Sequence, residues 1–155
     1  MRRGYDSLRE MPEQEKLKHW PNLTKGSFDY ASEHTVEYNC VAWALGEMHR
    51  LYDSYGYDFP QDLKEKHTVE NYAEFFRRHG FEICSDGSLE KGMEKLALYA
   101  DKNGEFMHVA RQKTTGNWTS KMGDYEDVDH LTLRALQGTD YGEVVIFMRR
   151  PRQDG

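Results

Sequence analysis

Cysteine is nearly absent from this chain. Cys40 and Cys84 are the two in 155 residues, too few for a disulfide framework. No CxxC pair suggests zinc. No apolar run approaches the roughly 18 residues of a membrane span. The start "MRRGYDSLREMPEQEK" is basic but has no apolar segment behind it, unlike a secretory signal. The expected location is the cytoplasm, with reduced thiols. Net positive charge is lacking too. The formal charge is −6, which argues against a general nucleic-acid binder. The one basic stretch, "MRRPR" from Met148 to Arg152, reads as a solvated tail. No repeat and no low-complexity segment is visible.

Aromatic residues are plentiful instead. Ten tyrosines, seven phenylalanines and three tryptophans make 13% of the chain, and each buries much surface. The length suits one domain with a single sizeable core. Residues 1–36 read as a polar arm with a short helix, 37–150 as the domain proper and 151–155 as a polar tail.

Within the domain, "CVAWALGEMHRLY" carries apolar residues at helical spacing, although Gly46 weakens a helix interior. "DSYGYDFPQD" is a loop. "TVENYAEFFRRHG" predicts a helix, capped by Thr68 and stopped by Gly80. "FEIC" predicts a short strand. "EKLALYAD", "EFMHVARQK" and "NWTSKMG" predict three strands joined by hairpin turns at "KNG" and "TTG". "VDHLTLRAL" reads as a short helix. "GEVVIFMRR" reads as a last strand with an interior place in the sheet. The expected class is α+β, with helices packed on an antiparallel meander.

Cys40 is the residue that raises a chemical question. It follows Asn39 at the start of an apolar helix, where partial positive charge stabilises a thiolate. A nucleophilic thiol needs an imidazole. Of the seven histidines, only His108 falls inside an expected central strand. There His108, Ala110 and Gln112 share one face, and Met107, Val109 and Arg111 the other. Small or polar neighbours leave room for a helix end beside the imidazole. A third group should orient the ring. Ser120 is expected roughly opposite His108 or Ala110, with Asn117 and Asp124 as alternatives. The Cys40 amide, with Asn39 beside it, would form an oxyanion hole. Gln112 and Trp118 are the candidate substrate contacts; Arg111 is weighed beside them, although a strand with one wet face gives the same pattern.

This order resembles the papain-like group of cysteine hydrolases, whose small bacterial members include NlpC-type peptidases and related amidases. In "NCVAWAL" and "HVARQKTTGNWTS", Cys40 matches the nucleophile, His108 the base and Ser120 roughly the third polar position. The pieces "YNCVAWALG", "LEKGMEKLALYA", "HVARQ", "GNWTSKMG" and "YGEVVIFMRR" also resemble a bacterial domain family of undetermined function. The resemblance implies a papain-like fold and a hydrolase or transferase acting on an amide-type bond of a protein or peptide-like substrate. No cofactor is expected, and the charge and the lack of a long apolar run argue against nucleic acid and membrane as partners.

Two rival readings stand beside this one. The first is a non-catalytic papain-like binding module. The second is a metal-dependent enzyme using His108 with carboxylates between Asp124 and Asp129; against it, "DYEDVDH" reads as a solvated loop. Fast labelling of Cys40 relative to Cys84 by an electrophile is the mark of the hydrolase.

Overall fold

The computed structural model describes residues 4–56 and 58–152. Tyr57 of the expected loop, residues 1–3 of the arm and 153–155 of the tail lie outside the described residues.

The elements run α1 (Glu13–His19), β1 (Phe28–Tyr30), α2 (Cys40–Ala44), a 3-10 turn (Gln61–Leu63), α3 (Val69–Arg77), β2 (Glu82–Cys84), β3 (Met93–Ala100), β4 (Phe106–Gln112), β5 (Trp118–Lys121), β6 (Asp127–His130), a second 3-10 turn (Leu133–Leu136) and β7 (Glu143–Pro151). One seven-stranded sheet holds every strand, in the order β1-β6-β5-β4-β3-β7-β2. All its ladders are antiparallel. The chain is α+β, as expected, and β7 is interior between β3 and β2.

Local chemistry explains the helices. The Thr68 hydroxyl accepts from the Asn71 amide at 3.2 Å, which satisfies one of the orphan donors of α3. Val69, Tyr72, Ala73, Phe75 and Phe76 form its buried side, and Gly80 ends the segment at φ +95°. Helix α2 is far shorter than its apolar spacing predicts. Gly46 takes the left-handed conformation at φ +79° and ends the helix after Leu45. The chain then folds back, and Asn39 Nδ2 donates to the Tyr52 carbonyl at 2.7 Å.

Both sheet faces are covered. On one, here called the helix face, Val41, Ala42 and Ala44 of α2 and the apolar side of α3 pack on Leu96, Leu98, Val109 and Met148. On the other, the arm face, Leu8, Met11, Trp20 and Leu23 pack on Ala97, Tyr99, Ala110, Trp118 and Val128. The arm is therefore part of the core. Its strand β1 pairs with β6 at Phe28–His130, Asp29–Asp129 and Tyr30–Val128.

Two expectations are corrected. "VDHLTLRAL" is not a helix but strand β6 followed by a 3-10 turn. Its first three residues, Val128 to His130, alternate between sheet faces, and the Thr132 hydroxyl caps the turn by accepting from Ala135 N at 3.3 Å. "MRRPR" is not a solvated tail, because β7 runs through Pro151. Met148 is fully buried, and Arg150 donates to Glu94 Oε1 and to the His79 carbonyl.

Gly142, just before β7, lies tight against the backbone at the end of β3. Its φ is +71°, and a Cβ there would lie 2.0 Å from the Ala100 carbonyl oxygen. Gly142→Ala is expected to lower stability by about 2 kcal/mol or more, from left-handed strain plus overlap. A urea unfolding midpoint close to that of the parent would contradict this.

Candidate functional site

Cys40 is the first residue of α2, and its helix lies on the helix face of the sheet. Asn39 caps the helix: its Oδ1 accepts from Ala42 N at 3.1 Å and from Tyr52 N at 3.4 Å. With Nδ2 given to Tyr52, both ends of this side chain are engaged in structure, so Asn39 is not a free oxyanion donor. The thiol is half-buried against the core. Burial pushes its pKa up to about 11, and the charge of Asp53 adds to this, while backbone hydrogen bonds, the largest at Val109, act in the opposite sense. Loss of water outweighs the favourable field of a five-residue helix.

His108 is on the other side. It is paired across the β3–β4 ladder with Tyr99, a residue of the arm-face core. Its ring stacks on Tyr141 at 4.1 Å with 4° between planes. The space beside Ala110 that would admit a helix end is thus filled by an aromatic ring. Nε2 of His108 is buried without a hydrogen-bond partner. The expected Cys40–His108 pair is not formed. A register shift opposite Tyr99 and Ala100 leaves Met107 as an extra residue, which is why Phe106 and Val109 both belong to the helix-face core.

The other candidates follow the same division. Ser120 does share a face with His108, but its hydroxyl meets His130 Nε2 at 2.8 Å, and both are buried. His130 Nδ1 lies 2.8 Å from the Thr132 carbonyl and donates to it, leaving Nε2 to accept from Ser120. Gln112 donates to the Gly87 carbonyl at 2.7 Å, and Trp118 packs in the arm-face core. Asn117 lies in the β4–β5 turn, its amide on the Thr115 hydroxyl, and Asp124 is exposed. The metal reading fails on the same geometry. Asp127 accepts from Tyr38 at 2.6 Å and Asp129 meets Lys113 at 2.6 Å, both on the helix face, away from His108. Among the described residues, no three His, Cys, Asp or Glu side chains are gathered to hold a metal.

The structure instead assembles a polar cleft of about 330 Å³ beside α2, with Trp43, Arg111, Lys113, Thr119, Asp129 and Arg152 in its lining. Trp43 Nε1 donates to the Thr119 hydroxyl at 3.1 Å. The Arg111 guanidinium lies 4.9 Å from the Trp43 ring centre, and Tyr38 stacks on the same indole at 5.6 Å. From the sequence, Arg111 stands between a substrate contact and a residue of a wet strand face. Its alternation with Val109 puts it on an apolar face, and the packing of α2 on that face places it in the cleft.

The two arm-face histidines set an acid limit. Burial lowers the pKa of His130 from 6.5 to about 4. Burial and then the nearby His130 hold that of His108 well below 6.5. Unfolded, both take a proton near 6.5. Between these values the unfolded chain binds more protons, so stability present above pH 6.5 is lost as pH falls toward 4. His130 alone accounts for about 3 kcal/mol. Asp127, whose pKa is raised by burial, opposes this in part. The urea midpoint should fall steeply from pH 6.5 to 4, and a flat profile would contradict the burial of these neutral rings.

No curated protein and no solved structure matches the chain. A family model described as Domain of unknown function (DUF7689) matches residues 29–149, from the arm's edge strand to near the end of β7. The chain belongs to the DUF7689 family.

Proposed function

We propose that this domain is a non-catalytic binding module, built on a papain-like arrangement, that docks a protein or peptide. The observation that carries the reading is the placement of Cys40 and His108 on opposite faces of the sheet. The papain-like part is supported by a cysteine in the first turn of a helix laid on an antiparallel meander. A cysteine hydrolase needs a thiolate near neutral pH. With its pKa near 11, Cys40 is a thiolate in roughly one molecule in ten thousand at pH 7.

Alkylation tests this directly. Iodoacetamide at pH 7 is expected to label Cys40 no faster than Cys84, and His108→Ala should leave the pH profile of Cys40 labelling unchanged. Rapid labelling of Cys40 that is lost in His108→Ala would restore the hydrolase and overturn the binding module.

A further inference from the structure

We propose that the cleft beside α2 is an oxyanion site, with Arg111 as the group that grips a carboxylate of the docked protein or peptide. The proposal rests on the binding-module reading and gives it a ligand chemistry.

The argument starts from an unmatched cation. Arg111 lies next to the end of β4 and turns toward the Trp43 ring of α2, and its Nε is buried with no hydrogen-bond partner. Three carboxylates act on its charge: Glu94, Asp127 and Asp129. None of them is hydrogen-bonded to Arg111. Glu94 holds Arg150, Asp129 is bound to Lys113, and Asp127 accepts from Tyr38 through Oδ2 while its Oδ1 is buried without a partner. A guanidinium is a planar fork suited to two parallel bonds with a carboxylate or phosphoryl group. Burying its Nε–H without an acceptor is unfavourable, and an oxyanion bound to that edge of the fork removes the penalty.

The surroundings are arranged for the task. The Trp43 indole, itself held by Thr119, backs the guanidinium. The planar group is thereby held in place before a ligand arrives, which lowers the ordering cost of binding. Arg152, fixed to the Met93 carbonyl at 3.0 Å, and Lys113 add two more cations. The lining therefore sets three cations against Asp129 on a chain whose formal charge is −6. A local reversal of sign of this kind attracts anions that the rest of the surface repels.

The same chemistry could be presented by a peptide carboxylate or by a free small oxyanion, and a titration separates the two. The full chain, labelled with nitrogen-15, is titrated with N-acetyl-dialanine bearing a free carboxylate, with its C-terminal amide, and with inorganic phosphate. The readout is the Trp43 indole N–H resonance. The free carboxylate should give a saturable shift and the amide none. Arg111→Gln should weaken binding about tenfold or more. Asp129→Asn, which releases Lys113, should tighten it several-fold, a gain that misfolding cannot mimic. Saturation by phosphate but not by the carboxylate peptide would keep the oxyanion site and overturn the protein-docking reading. No saturable shift with any probe, or affinity unchanged in Asp129→Asn, would overturn the site itself, whatever the alkylation experiment shows.

Discussion

A buried carboxylate ties the molecule together. Glu126, fully enclosed, accepts from the Leu8 amide at 2.7 Å and from the amide and guanidinium of Arg9 at 3.3 Å each. A buried charge must be compensated by hydrogen bonds, and here the compensating donors come from the start of the described chain. That bond lays the arm over the sheet, with Leu8, Met11, Trp20 and Leu23 beneath it. The arm then seals the face on which His108, Ser120 and His130 lie. Lys121 plays the matching part on the helix face, donating to the carbonyls of Thr35, Gly123 and Tyr125. It fixes the segment that leads into Asn39 and α2.

Burial on both sides divides the polar residues by role. Those under the arm are engaged inward: Ser120 with His130 and His108 against Tyr141. Those beside α2 reach a cleft at the surface. Cys40 and His108 therefore belong to opposite faces of the sheet. The same separation places Arg111, one residue past Ala110, where a ligand can reach it.

Much of the frame is legible in the sequence because it rests on local rules. Thr68 and Gly80 bracket α3, the hairpins at "KNG" and "TTG" join β3, β4 and β5, and the apolar centre of β7 marks an interior strand. Alternation also assigns His108, Ala110 and Gln112 to one face. What alternation does not supply is which face a helix covers, because that depends on long-range packing. The polar composition of residues 1–36 hides four buried apolar anchors, so the arm does not read as a layer. Once the arm is a layer, the His108 face has no room for α2. Arg111 stays between two readings for the converse reason: on a strand taken to be wet on one face, an arginine needs no explanation.

The two ends of the sheet have their own consequence. The outer strands β1 and β2 are three residues each, whereas β3 and β7 within have eight and nine. Glu82 on β2 is held by Arg149 of the adjacent strand at 2.9 Å, which puts a charged pair along one margin. A short, charged margin offers few free backbone donors and acceptors to another chain. The long inner strands can thus carry continuous apolar sequence, as "LALYA" and "VVIF" do, without exposing a template for fibril growth.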